Sequence, residues 1–234
     1  VPFLVIFLLL GGIFFTLWYR WINVRGFKHS VEVIQGKYDR PEDPGEISHF
    51  RALTSALSAT IGLGNIAGVA VAIQLGGPGA VLWMWITAVF AMTAKFSSCT
   101  LSQLYRTVNS DGSISGGPMY YLDLGMRSMG PVWGVVGKIL AVMFAIMVMG
   151  GAIGGGNMFQ ANQSFEILSG QFPMLEGNGF WFGIILAVLV GVVIIGGINS
   201  IANVTGKIVP IMAAVYIIGA FVVIGINIEN IGPA

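Results

Sequence analysis

Residues 56–73 read ALSATIGLGNIAGVAVAI. The stretch is apolar enough for a membrane, yet Gly62, Gly64 and Gly68 weaken it as a helix. Asn65 places a polar side chain beside the weakest point. A glycine inside a helix costs about 1 kcal/mol relative to alanine. The Gly62-Leu-Gly64 pair therefore marks where a spanning helix can open. Unwinding there strips the carbonyls of Ser58, Thr60 and Ile61 of their helical donors and turns them into oxygen ligands for a hard cation such as sodium. The Asn65 side chain adds a further oxygen. The amides of Gly64, Asn65 and Ile66 then begin a second half-helix, whose positive end favours a carboxylate. A plainer alternative is that the glycines only let helices approach closely, and Gly64-Asn-Ile-Ala-Gly68 has the spacing for that.

A second polar stretch, residues 150–163, reads GGAIGGGNMFQANQ. Asn157 and Gln160 are amides near the middle of an apolar run, and Phe159 could wall a pocket. Asn162 and Gln163 read better as the wet outer end of the same span. Lys95 is the third candidate. It lies about 16 Å of helix rise from Arg106, inside an apolar span with no carboxylate near it in sequence. An intramembrane charge is a functional hypothesis by default, for coupling or gating. The alternative is a lysine tied to backbone carbonyls or reaching toward the cytoplasmic end.

Other chemistry is missing. The single cysteine, Cys99, falls inside a span and reads as packing. His29 and His49 share the first loop without metal-ligand spacing. No Ser-His-Asp constellation, phosphate loop or carboxylate pair occurs within the apolar stretches, so an enzyme is not expected. No basic run with interleaved aromatics suggests nucleic acid.

The elements that must position these residues are membrane helices. The chain is 56% hydrophobic and 9% charged, against about 25% charged for soluble domains. Uncharged windows of about 20 residues fall at residues 1–19 and, as two spans, at 52–94, interrupted at 76–79. Further windows fall at 139–165, 177–206 and 208–228. The third span runs on to Arg106 and so contains Lys95. Residues 20–51 form a polar segment, and residues 112–127, with Pro118 as a first helical position and Tyr120 and Tyr121 beside it, suit an interface helix. The fifth span should end near residues 196–200, with Pro210 in the first turn of the sixth.

Of the 11 Lys and Arg residues, all but Lys95 fall on one side if the spans alternate. The positive-inside rule makes that side cytoplasmic and the amino terminus external. With the first span set aside as peripheral, five spans remain over residues 52–228, the first of them interrupted by glycine. That is the layout of one half of an inverted-repeat secondary transporter. Residues 229–234 would begin the connection to a second repeat. A chain that starts at Val1 and stops just past a span reads as a fragment, with the carboxy-terminal half as its missing partner.

The motifs carry a resemblance. Gly76-Gly-Pro-Gly-Ala-Val-Leu-Trp-Met-Trp-Ile86 is similar to the signature of the alanine or glycine:cation symporters, also called sodium:alanine symporters. The resemblance extends through Gly64-Asn-Ile-Ala-Gly68, Gly116-Gly-Pro-Met-Tyr-Tyr121 and Gly156-Asn-Met-Phe-Gln-Ala-Asn162. It continues through Gly196-Gly-Ile198 and Val209-Pro-Ile-Met212. It implies a LeuT-like fold of two inverted five-helix repeats plus one extra amino-terminal helix. It also implies import of alanine or glycine with sodium across the plasma membrane of a prokaryote. Residues 62–65 also resemble the broken first helix of neurotransmitter:sodium symporters. By that match the Ser58 and Ile61 carbonyls fall at one sodium position, and the Thr60 carbonyl and Asn65 at a second. Leu63 and Gly64 fall near the substrate carboxylate.

Three departures stand out. Leu82 replaces the usual Phe, Ser98 stands where many members have Glu three residues after the lysine, and Asn199-Ser200 replaces a basic pair. They suggest a divergent branch. The expected function is sodium-coupled symport of small neutral amino acids by alternating access. The alternatives are proton coupling, or a channel-like or structural membrane subunit whose glycines serve packing alone.

Overall fold

The computed structural model describes residues 3–40, 42 and 45–230, without the side chains of Leu63 and Asn230. The Leu63 side chain, expected near a substrate carboxylate, and most of the expected connection at 229–234 therefore lie outside the described residues. The structure is 82% helical, which sets the class as all-α. Among the described residues three helices are long and apolar enough to cross a membrane, and a bent pair of shorter ones makes up to four. The chain divides into two compact units.

The first unit holds residues 1–33, 40–46 and 81–158. Helix α1 (Phe3–Trp18) is followed by two short helices, α2 (Ile22–Arg25) and α3 (Phe27–Ile34). Helix α4 (His49–Thr60), helix α5 (Leu63–Gly76) and the first turn of α6 (Gly79–Leu104) come next in the chain. Helix α1 packs on α6 through small and hydroxyl side chains. A Cβ on Gly12 would stand 3.1 Å from the Phe90 carbonyl. The buried Thr16 and Thr93 hydroxyls lie 2.7 Å apart. Apolar area gains nothing by leaving lipid for another helix, so close approach and hydrogen bonds drive this contact.

A two-residue hairpin, Thr107–Val108 with Ile114–Ser115, follows α6. The Ile114 amide donates to the Glu46 carboxylate at 3.1 Å. Helix α7 (Pro118–Tyr120), with Pro118 as its first residue, runs into a π-helical turn at Tyr121–Gly125. This segment packs on helix α8 (Pro131–Gly151). Buried Gly137 makes that possible, since any Cβ there would overlap the Leu122 carbonyl oxygen.

The second unit holds residues 34–39, 47–80 and 159–234. It contains helix α9 (Phe159–Gln171), helix α10 (Gly179–Ile195) and helix α11 (Gly197–Ile226). Helix α4 lies along α11. Buried Thr54 faces a seam containing Gly206, whose Cβ would sit 3.8 Å from Thr54 Oγ1. Buried Ala202 and Val209 belong to the same helix, and the Ser55 and Thr205 hydroxyls meet at 3.0 Å. Phe165 and Phe182 hold α9 against α10, with ring centres 5.5 Å apart.

Two expected boundaries moved. The fourth span begins at Pro131 and its helix continues to Gln171, well past the uncharged window, because helical propensity does not stop where hydropathy falls. The sixth begins at Gly197, so Lys207 lies inside a helix rather than in a loop and Pro210 is interior, not in the first turn. The only interruption is at Gly196 and Gly197, where φ of Gly197 is 68°. Beyond it Asn199, Ser200 and Lys207 are all compatible with a helix. Lys207 follows Gly206, which lies beside Arg51, and so stands level with the start of α4.

Candidate functional site

The candidate site lies in the second unit, at the break between α4 and α5. Ser48 caps the start of α4, its hydroxyl accepting from the Arg51 amide at 3.4 Å. The helix then runs without interruption to Thr60. Ile61 leaves the helical region (φ −81°, ψ 87°), and Gly62 is fully extended (φ −138°, ψ −174°). The two helix axes are bent by 41°. Gly62 is not forced by its dihedrals, since any residue adopts an extended backbone. Crowding explains it better: a Cβ there would stand 3.2 Å from Nε2 of Gln160 on α9. The break and the second polar stretch therefore meet at Gly62 and Gln160.

Accounting for the backbone shows what the break releases. An unbroken helix would give the Gly62 amide to the Ser58 carbonyl and the Asn65 amide to the Ile61 carbonyl. Instead Gly62 donates to Thr60 at 3.1 Å and Asn65 donates to Gly62 at 3.0 Å. The Ser58 and Ile61 carbonyls thus lose their helical donors, as an oxygen cradle for a hard cation requires. The Thr60 carbonyl is engaged twice, by the Gly62 amide and by the Asn65 side chain, which donates to it at 2.5 Å. To ligate a cation beside Thr60, Asn65 must release this bond and present its oxygen.

The amides expected to greet a carboxylate divide in the same way. Those of Asn65 and Ile66 donate to the Gly62 carbonyl at 3.0 and 3.3 Å, so Gly64 is the candidate that these bonds leave over. Gly64 and Asn65 are exposed, and Ile66 is 44% exposed. A Cβ on Gly64 or on Gly68 would meet nothing within 4 Å. Among the described residues nothing packs on the GxxxG face.

On the other side of the site, Phe159 and Gln160 open α9, and Phe159 is 44% exposed. Asn157 lies just before them in a π-helical run, Ala152–Met158, and is exposed. Sequence reasoning picked out the glycines of this stretch but not the widened helix. The signal was present: three consecutive glycines at 154–156 remove the side chains that hold an α-helix in register. Such π turns occur often at functional sites. Asn157 and Lys95 belong to the first unit. Also missed was the Ser55–Thr205 hydroxyl pair, which ties the half-helix before the break to α11. Among the described residues no group of three or more His, Cys, Asp and Glu could hold a metal ion.

The sodium:alanine symporter family model matches residues 1–234. The sodium/alanine symporter AgcS of Methanococcus maripaludis is 42% identical over 236 residues, covering 100% of this chain and 50% of that protein. The putative sodium/proton-dependent alanine carrier protein YrbD of Bacillus subtilis is 38% identical, over 97% of this chain and 44% of its own. The probable sodium/glutamine symporter GlnT of the same organism is 34% identical, over 97% and 45%. The chain spans about half the length of the curated relatives it matches. Family, hydropathy and the broken helix agree: this chain is a multi-pass membrane protein of the sodium:alanine symporter family, a family of transporters and not of enzymes.

Proposed function

We propose that this chain supplies the amino-terminal half of a sodium-coupled importer of small neutral amino acids, alanine and glycine first. The observation that carries the reading is the helix break at Ile61 and Gly62 with the Gln160 amide set against it. Sodium is held by the Ser58 and Ile61 carbonyls, and at a second position by the Thr60 carbonyl and the Asn65 oxygen. The substrate carboxylate lies at the amino end of α5, near Leu63 and Gly64, in reach of its positive dipole. Gln160 and Phe159 line the side-chain end, and the narrow space at Gly62 excludes bulky substrates. Lys95 acts in coupling or gating.

The larger frame is a LeuT-like inverted repeat. Residues 1–19 form the peripheral helix, 20–51 a cytoplasmic segment, and 52–228 the first five-helix repeat. Residues 229–234 lead to the second. The protein works in the plasma membrane of a prokaryote, with the amino terminus outside. Transport proceeds by alternating access. Sodium draws Asn65 away from Thr60, completes the oxygen cradle and preorganises the start of α5 for the carboxylate. Rocking of one repeat against the other then exposes the site to the cytoplasm.

The experiment is uptake of labelled alanine and glycine by the full-length protein in proteoliposomes, with sodium and with choline in its place. Saturable uptake that collapses without sodium supports the reading. Persistent uptake driven by a proton gradient favours the second reading, proton coupling, for which the name of one relative gives a precedent. Flux that does not saturate returns the protein to the channel-like class.

A further inference from the structure

Helix α6 carries two opposed faces, and only one of them is used by α1. Phe90, Thr93 and Ser97 lie on the α1 side, where Thr93 and Ser97 are buried and Phe90 abuts Gly12. Met84, Ala88, Ala91 and Lys95 recur at helical spacing on the opposite side. Ala88, Ala91 and Lys95 are exposed. Trp83, Met84, Thr87, Ala88 and Ala91 line a groove of about 380 Å³, and Lys95 stands one turn beyond its end.

Lys95 cannot easily escape to water. It lies about 14 Å of helix rise from Leu104 and about 24 Å from Gly79, within a helix longer than the ~30 Å hydrocarbon layer. Helical side chains lean toward the helix amino terminus, which tips the ammonium toward Ala91 and away from the nearer end. Among the described residues Lys95 makes no hydrogen bond or ion pair. A cation at this depth needs a counter-charge.

The charge also limits who can bring it. Two copies docking on this face about a two-fold axis would set Lys95 against Lys95, since such an interface pairs each patch with itself. The relatives are about twice as long as this chain. We propose that this face of α6 seats a transmembrane helix from the remaining half of the transporter, and that this helix presents an aspartate or glutamate to Lys95. Ala88 and Ala91 let the helix approach closely, and the ion pair sets its depth and register. The inference rests on the reading of the chain as one half of a transporter.

The test uses the full-length protein with a diazirine analogue of methionine encoded at position 84. The protein is irradiated in its membrane, and the cross-linked peptides are identified by mass spectrometry. Links to a spanning segment beyond residue 234 of the same chain are expected. Links only to lipid, to residues 1–234 or to a second copy would overturn the proposal. This readout does not depend on transport, so a protein that takes up neither alanine nor glycine leaves it standing. In an active protein, Lys95→Glu should lower uptake at least tenfold at equal membrane abundance. Changing the acid of the cross-linked helix to lysine in that background should restore uptake to within about threefold of the original. Wild-type uptake by Lys95→Glu, or no recovery on the swap, would also overturn it.

Discussion

Alanine at position 62 is the sharpest probe of the site, because its effect has one physical source. Gly62 is extended (φ −138°, ψ −174°), so alanine brings no backbone strain. Replacing a tolerated glycine cap by alanine costs about 0.5–1 kcal/mol, and removing a glycine from the unfolded chain returns about 0.4–1 kcal/mol. Stability should therefore stay nearly level. The new methyl would stand 3.2 Å from Gln160 Nε2 and 3.8 Å from its Cδ and Oε1. Gln160 must retreat by a few tenths of an ångström. The colliding atom is the end of a flexible side chain, so the cost falls at the low end of the 1–3 kcal/mol typical of overpacking. Gln160 can swing aside when the site is empty but not when its amide holds substrate, so the cost of about 1 kcal/mol falls on the bound state and is roughly a fivefold rise in KM for alanine uptake. The assay is initial uptake rate in proteoliposomes against alanine concentration, for wild type, Gly62→Ala, Gln160→Ala and the double variant. With Gln160 already truncated, Gly62→Ala should add nothing. An unchanged KM in Gly62→Ala, or the same fivefold rise in the Gln160→Ala background, would refute the contact as the source.

Two further substitutions test the scaffold. Gly137→Ala drives a methyl into the Leu122 carbonyl and within 2.8 Å of Met126 Cβ. Backbone cannot give way as a side chain can, so a loss of about 3 kcal/mol is expected, read as a lower unfolding midpoint. Gly150→Ala, inside the same helix with nothing within 4 Å, is the control and should leave the midpoint level or raise it, by up to about 1 kcal/mol. Thr93→Val removes the buried hydroxyl that meets Thr16 at 2.7 Å. A loss of about 0.6–1.7 kcal/mol is expected, and adding Thr16→Val should cost little more, since the first substitution has already broken the bond that the two hydroxyls share. An additive loss in the double variant would contradict the pairing.

The helix break was legible in Gly62 and Gly64 because glycine and a lone amide are the few polar signals that an apolar helix can carry. The pairing of Gly62 with Gln160 was not. Spans that are apolar all round give no face to read, so which helices touch is set by small residues and hydroxyls scattered along them. Ser55 and Thr205, or Thr16 and Thr93, are distant in sequence and ordinary in type, and only the fold shows that they meet. The start of α11 was misplaced for a related reason. Hydropathy marks where the hydrocarbon begins, whereas the helix begins at the conformational break of Gly196 and Gly197, so Lys207 entered the helix unannounced. The accounting of carbonyls at Ser58, Thr60 and Ile61 also required coordinates, since the Asn65 bond to Thr60 has no sequence signature.

The central claim is that the break between α4 and α5 joins sodium to substrate through Asn65. Its most direct test is equilibrium binding of labelled alanine to the purified full-length protein across a range of sodium concentrations, for wild type and Asn65→Ala. The account predicts that sodium raises the alanine affinity of the wild type at least tenfold. Asn65→Ala should bind alanine weakly and with little response to sodium, while folding normally. Equal alanine affinity with and without sodium in the wild type, or an unaltered sodium response in Asn65→Ala, would contradict it.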